Sequence, residues 1–455
     1  MSQQSGTLRS QIKTSAKLSG LRFASNVALR LVSTVVLTRL LAPEVYGVFA
    51  IVLAYIFLLE MFSDFGLRSL ILTREGEVTE RFLRTCWTVS ILRGVLIALV
   101  SCLIALVIAG VQGQDRFAED SAYAAPVLPW AIVAIGGATL LYGFESPLRF
   151  MREREMAFGG VTIVDLVRNI LTLIVTVVLA YYLRSVWALV IGQAVRSVLH
   201  VWLSFAVFRG PAMAFALDRD SLRVLIDRGK WVLSQSALTA LSQSADRILL
   251  GFVMNSASFG LYYIARQLVD MMLQFLTTMN GQMGLQVFSR LHQMSLPDFR
   301  HKYYRYRLFF DALAGVGAGA VLVLAPLLVE IIFDDRYQGV AEILQVLVLG
   351  VAVIAPVIMR SIFNAERQFR LTSMVSLVST ALLWGVLCLA LFGFASVYVA
   401  FFVIALYRIP EAVILLWLSR ARGWVVLWRE GIILGFFAAG AGLGWTVLQL
   451  WDWIT

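Results

Sequence analysis

The sequence predicts an all-α polytopic membrane protein: a two-lobed bundle of 6+6 transmembrane helices with about one extra helix at the C-terminal end. Three observations predict it. Of 455 residues, 60% are hydrophobic and 15% charged, and the mean hydropathy is +0.82, far outside the soluble range. Apolar runs of about 20 residues, each sufficient for a helical crossing, recur along the whole chain between short polar segments. Lys and Arg crowd into alternate connecting segments, which is the pattern of cytoplasmic loops.

The elements follow in order. Segment 1–21 is polar, reads as a cytoplasmic N-terminus with no cleavable signal, and leads directly into the first span, 22–41. On that span Arg22, Asn26 and Arg30 form a ladder at four-residue spacing. Arg39 points to the other side and, one turn from the outer end, is read as snorkelling to the interface. Spans 45–63, 84–111 and 124–145 come next, with Arg93 inside the third and the basic run Arg149, Arg152 and Arg154 closing the fourth. Span 158–182 places Asp165 one turn from Arg168, and span 186–208 carries Arg196 and His200.

Segment 209–228 is the longest mixed-charge interruption and reads as a cytoplasmic linker between an N-lobe, 22–208, and a C-lobe, 229–419. On span 229–253, Gln235, Thr239, Ser242 and Asp246 fall within about 40° of one another at 100° per residue. Span 257–288 gathers Tyr263, Arg266, Gln267, Asp270 and Gln274 on a face roughly 100° wide. Spans 304–333, 339–361, 370–392 and 396–419 complete the C-lobe, the last carrying Arg408 and Glu411. A thirteenth span, 430–451, lies in an appended segment, 420–455, anchored by Trp424, Trp428, Trp445, Trp451 and Trp453.

The loops between these spans alternate in charge. One set holds Arg68, Arg74, Arg81 and Arg84, then Arg149 to Arg154, Arg209 to Lys230, Arg290 to Arg307, Arg360 to Arg370, and Arg420 to Arg429; the other holds only Arg116, Arg184 and Arg336. The first set and the N-terminus are placed in the cytoplasm. The net charge of +10 then reflects topology and contact with anionic lipid, and no nucleic-acid partner is implied. Matches between the halves fall at one gap-free offset, which carries Tyr46-Gly47-Val48-Phe49 onto Phe259-Gly260-Leu261-Tyr262 and Phe150-x-x-Glu153-Arg154 onto Phe363-x-x-Glu366-Arg367. Two halves of six spans share one orientation and enclose a central cavity.

Enzyme chemistry finds little support. There is no GxxxxGK[ST], GxSxG, HExxH or CxxC. No catalytic residue, metal ligand or cofactor is assigned. Cys86, Cys102 and Cys388 are scattered and read as small core residues, His292 and His301 as solvated, and Asp334-Asp335 as a solvated outer loop.

The anomaly is charge inside the spans: Arg30, Arg39, Arg93, Arg168, Arg196, Arg247, Arg266 and Arg408. Intramembrane charge costs several kcal/mol and marks functional sites. Asp165, Asp246, Asp270 and Glu411 sit close in sequence to Arg168, Arg247, Arg266 and Arg408 and can neutralise them, whereas Arg30, Arg39, Arg93 and Arg196 have no such neighbour. A surplus of buried positive charge implies an anionic cargo. Bonding between helices is the competing reading of every polar face. It stays open for Asp165/Arg168 and Arg408/Glu411; Arg30, Arg247 and Arg266 are assigned to the cavity, and Arg93 and Arg196 remain unassigned.

Four segments in order, TRLLAPEVYGVFAIV (38–52), FSDFGLRSLIL (62–72), ESPLRFMREREMAF (145–158) and SADRILLGFVMNSASFGLYYIARQL (244–268), resemble the polysaccharide transporter family of the MOP superfamily. These are the Wzx-type flippases and exopolysaccharide export proteins. The resemblance runs to about residue 420. It implies a MATE-like fold in the bacterial inner membrane that turns a polyprenyl-diphosphate-linked oligosaccharide between leaflets by alternating access. The pathway's polymerase and glycosyltransferases are its implied partners, beside membrane lipids.

In relatives, cations on the first and eighth helices engage the diphosphate; Arg30 and Arg266 lie on those helices. The expected binding set is Arg30, Arg247 and Arg266 with Asn26, Gln235 and Gln267: guanidiniums for the diphosphate, amides for sugar hydroxyls. Coupling to H+ or Na+ would fall to Asp165, Asp246 or Asp270. Two alternatives are a MATE-like drug or cation exporter, which wants an acidic cavity, and a membrane glycan polymerase or ligase, which wants a large outer loop.

Overall fold

The computed structural model describes residues 24–454 apart from 75, 115, 116, 119, 156, 157, 289–294 and 367. Expectations resting on segment 1–21, Arg22, Arg116, Arg290, His292 and Arg367 lie outside the described residues. All regular structure among the described residues is helical. The first half comprises α1 (24–40), α2 (Pro43–Phe62), α3 (Leu67–Thr73), α4 (Glu80–Gln112), α5 (Leu128–Tyr142), α6 (Leu148–Arg154), α7 (Phe158–Leu183) and α8 (Val186–Val207). The second runs α9 (Arg219–Val253), α10 (Ser256–Phe288), α11 (Leu296–Ile332), α12 (Val340–Leu347), α13 (Ala355–Ala365), α14 (Phe369–Cys388), α15 (Val397–Leu406), α16 (Ile409–Ala421), α17 (Leu427–Glu430) and α18 (Ile432–Ile454).

Local chemistry sets these boundaries. Pro43 opens α2, where its missing N–H is no loss. The turn after α2 is closed by Gly66, at φ 66°, whose N–H donates to Asp64 Oδ1 at 2.9 Å. Thr79 and Ser295 cap α4 and α11 through the N–H groups of Phe82 and Asp298. In the expected linker, residues 219–228 already belong to α9. Asp218 caps its start by accepting from the Ser221 hydroxyl and N–H, which holds its carboxyl below the usual range.

Every span expected from the sequence has a helical counterpart, but several are interrupted. Span 339–361 is α12, a 3-10 segment (Val348–Ala352) and α13, which begins beside Pro356. Span 396–419 breaks at Tyr407–Arg408, ahead of Pro410. Among the described residues, nine helical segments are long and apolar enough to cross a membrane. The 35-residue α9 and 33-residue α10 are not among them; their polar stripes account for it.

The chain forms two compact units, Met1–Ser244 and Ala245–Thr455. In the first, α5 packs on α4 and α8, and α7 on α8. In the second, α10 packs on α12 and α13, and α18 lies along α11. That last pairing depends on glycine. A Cβ on Gly319 would fall on the Phe437 carbonyl oxygen, and one on Gly440 on the Val316 carbonyl oxygen. Gly315 and Gly444 flank them at four-residue spacing, so two GxxxG faces meet backbone to backbone. The thirteenth span is therefore tightly seated.

Candidate functional site

The intramembrane arginines sort into compensated and uncompensated groups. In the first unit, the turn between α5 and α6 joins α6, α7 and α8 in burying one network. Arg149 Nη2 donates to both oxygens of Asp165, each at 2.9 Å, and its Nη1 reaches Glu145 Oε1 at 3.2 Å. Arg168 Nη1 lies 3.1 Å from Asp165 Oδ1. His200 places Nε2 2.7 Å from Glu145 Oε1 and Nδ1 2.5 Å from Arg168 Nη1. All five residues are less than a tenth exposed. Two guanidiniums face two carboxylates, so with a neutral imidazole the network carries no net charge. Asp165 is thus the shared acceptor of two arginines.

A chain of amides leaves this network. Arg168 donates to Asn169 Oδ1, and Asn169 Nδ2 donates to Asn26 Oδ1 on α1 at 2.7 Å. Arg30, one turn beyond Asn26, is exposed and makes no ion pair among the described residues. Arg196 on α8 stands likewise exposed without an ion pair. Arg93, unassigned from sequence, ties helices together. Its Nη2 donates to the Glu60 carbonyl at 2.6 Å and its Nε to Ser63 Oγ at 2.9 Å, closing the C-terminal end of α2. Arg39 lines an open groove of about 680 Å³ between α1 and α7, with Val35, Val177, Tyr181 and Tyr182.

The second unit contains a second balanced cluster. Arg266 Nε lies 3.1 Å from Asp270 Oδ1 and 3.6 Å from Asp246 Oδ2. Arg247 Nη2 donates to Asp270 Oδ2 at 3.3 Å, and the Tyr262 hydroxyl donates to Asp246. Two arginines again meet two aspartates. Arg247 and Arg266, assigned to the cavity from sequence, are engaged here by the neighbouring carboxylates Asp246 and Asp270, so both candidate coupling residues of this unit are their partners. Gln267 on α10 is half-buried beside Arg266; Gln235, on the part of α9 belonging to the first unit, is exposed.

One expected pairing is not formed. Glu411 binds Arg360 on α13, through both Nε and Nη2, and leaves Arg408 to the Tyr407 hydroxyl, 3.0 Å from its Nε. Arg408 is the N-cap of α16, the helix that carries Glu411, yet the close partner of Glu411 comes from α13, which sequence spacing alone could not register.

Sequence reading also misses Glu145, Arg149 and His200. Glu145 and Arg149 stand four apart, a signal of pairing, but Arg149 sits beside Arg152 and Arg154 and reads with them as a topological anchor. Only Arg152 behaves so, at an exposed Glu155. Arg149 is buried, and Glu153 binds Arg68 at 2.8 Å.

Charge is thus balanced in two places, whereas Arg30 and Arg196 make no ion pair among the described residues. Residues 36–342 match the polysaccharide biosynthesis protein family. The chain is 20% identical over 350 residues to the lipopolysaccharide biosynthesis protein WzxC of Escherichia coli (strain K12), covering 75% of this chain and 67% of that protein. It is 21% identical over 297 residues to the teichuronic acid biosynthesis protein TuaB of Bacillus subtilis (strain 168), covering 63% of this chain and 57% of that one. Its fold is similar to the lipid II flippase MurJ in an inward closed conformation, with a TM-score of 0.72 and 12% identity over 96% of this chain and 93% of that one. It is also similar to an inward-facing multidrug resistance MATE family transporter of the MOP superfamily, at 0.63 and 11%, covering 90% and 95%. With a family match over residues 36–342 and apolar helices long enough to cross a membrane, the chain belongs to the polysaccharide biosynthesis protein family, as a multi-pass membrane protein.

Proposed function

We propose that the protein moves a polyprenyl-diphosphate-linked oligosaccharide across the bacterial inner membrane by alternating access, as one step of surface or exopolysaccharide synthesis. The observation that carries this reading is Arg30: a guanidinium within an apolar helix, exposed, with no carboxylate engaged among the described residues, in a member of a polysaccharide family. A diphosphate matches the planar donor fork of arginine. In the first unit Arg30 acts with Asn26 and Gln235, the amides meeting sugar hydroxyls. In the second, Arg247 and Arg266 exchange aspartate for phosphate when cargo is bound, and Gln267 lies beside them.

The protein is a carrier and not an enzyme in this reading, with no cofactor. Turnover is driven by H+ or Na+ coupling through Asp165, Asp246 or Asp270, or by consumption of the delivered product. Its N-terminus and basic loops face the cytoplasm, where glycosyltransferases supply the cargo; a polymerase takes it up on the other side. Mass analysis of lipid-linked intermediates in a deletion strain lacking redundant flippases tests this. Accumulated repeat units on the cytoplasmic face are expected. Normal surface polysaccharide with no accumulation removes the proposal.

A further inference from the structure

Within the first unit a histidine is buried among four charged groups, and flipping as such gives it no role. His200 is 2% exposed. Tyr142 at the end of α5 stacks on its ring, with centroids 4.3 Å apart and planes 6° from parallel. Glu145 holds Nε2 at 2.7 Å, and Arg168 on α7 holds Nδ1 at 2.5 Å. Arg149 on α6 lies 3.3 Å from Nε2, and Asp165 on α7 holds both guanidiniums from behind. Arg196 precedes His200 by one turn on α8.

These contacts determine where the imidazole proton sits. A guanidinium has only donors; Arg168 is the nearest group to Nδ1 at 2.5 Å and Glu145 the nearest to Nε2 at 2.7 Å, with Arg149 Nη1 farther from both, at 3.5 and 3.3 Å, so Nδ1 presents its lone pair. The ring is then neutral, with its single proton on Nε2 donated to Glu145. A second proton has one place to bind, Nδ1, and Arg168 occupies it. Protonation therefore breaks the Arg168 contact and sets an imidazolium beside two guanidiniums, in a network whose charge was balanced. Arg168 is driven from the ring. Its Nε and Nη2 donate to Asn169 Oδ1, at 3.3 and 3.1 Å, and Asn169 holds Asn26 of α1 at 2.7 Å.

We propose that His200 is a proton-binding site whose occupancy is transmitted to α1 through Arg168, Asn169 and Asn26. The proton comes from water, one N–H bond forms at Nδ1, and no other covalent bond changes. Loading the site loosens the amide chain that holds the helix carrying Arg30. Of the three expected coupling carboxylates, Asp165 is then the anchor of the network and not the proton carrier. The inference goes beyond flipping and uses that reading only where export is measured.

The test uses the full chain in lipid nanodiscs with His292→Gln and His301→Gln, which leaves one of three histidines. Nitrogen-15 NMR of His200 is followed from about pH 8 to about pH 5, with the distance between spin labels on α1 and α7 read in parallel. A neutral ring protonated at Nε2 is expected at the alkaline end, an imidazolium at the acid end, and a distance change with the same midpoint. His200→Gln keeps a donor for Glu145 and an acceptor for Arg168, so it folds and shows a pH-invariant distance. Asn169→Ala leaves the ring titrating and removes the distance change. A ring that stays neutral throughout, or a distance that still moves in His200→Gln, overturns the proposal. Should titration and coupling hold while the deletion strain accumulates no intermediate, the proton site stands and the flipping reading falls.

Discussion

Arg149 grips both carboxylate oxygens of Asp165, each at 2.9 Å, and neither residue is as much as a tenth exposed. One guanidinium nitrogen held by both oxygens of a buried carboxylate is a charge-assisted contact, stronger than a bond between neutral groups. Removing one partner strands the other without solvent, which costs about 3–5 kcal/mol. Asp165→Ala leaves Arg149 paired with Glu145 and takes from Arg168 its carboxylate partner. Thermal unfolding of the purified protein in detergent is therefore expected to shift strongly downward, and Arg149→Ala to do the same. An Asp165→Ala protein that melts with the wild type would show that the network carries no structural load.

Arg30 separates binding from stability. Because it engages no carboxylate among the described residues, Arg30→Ala should unfold at the wild-type temperature and yet lose export. Arg266 differs, since Asp246 and Asp270 both face it. Arg266→Ala is expected to lose export and stability together. Arg39→Lys, at the groove between α1 and α7, retains export. Wild-type export by Arg30→Ala removes it from the binding set.

The partner of Glu411 is checked by a double-mutant cycle. Arg360 contacts it through two nitrogens, whereas Arg408 leans on Tyr407. Arg360→Met and Glu411→Gln should be coupled by about 1–3 kcal/mol, within the range for contacting residues. Arg408→Met and Glu411→Gln should add. Equal coupling in the two cycles would restore the pairing suggested by sequence spacing.

Much of this architecture is readable from hydropathy because a bilayer demands uninterrupted apolar length, and that demand leaves a mark on composition. Spans such as 84–111 and 186–208 fall on α4 and α8 within a few residues. Interruptions are harder to see. Pro356 and Pro410 are visible, but whether a proline bends or breaks a helix depends on what its neighbours supply. The sites are legible only as far as partners lie on one helix. Asp165 and Arg168 stand out at three-residue spacing, as does the polar face of α10. Glu145, Arg149 and His200 meet from three elements, and no one-dimensional period brings them together. Arg93 is opaque for a related reason, since its acceptors are a backbone carbonyl and a serine at the end of α2.

The contact between α11 and α18 gives the last prediction. Small residues let two backbones approach until dispersion and weak C–H contacts replace lipid packing. Gly319 and Gly440 lie where that approach is closest, each with a carbonyl oxygen of the other helix in the place a Cβ would take. The approach is reinforced where the chain enters α18. Arg300 Nε donates to the Gly423 carbonyl at 2.6 Å, and the Tyr304 hydroxyl accepts from Val426 N–H at 2.6 Å. Buried Arg307 binds Asp311 at 3.0 Å and also pairs with Glu430. With the segment leading into it fixed in this way, α18 cannot slide to relieve a clash. Gly319→Leu and Gly440→Leu are each expected to separate the helices and lower the unfolding temperature, while Gly442→Leu, with open space around it, is tolerated. Disulfide formation between cysteines introduced at Val323 and Gly444, whose Cβ positions lie 3.1 Å apart, reports the separation directly: efficient in the parent, lost in Gly319→Leu. If that cross-link forms equally well in both, α18 is not held by its glycines.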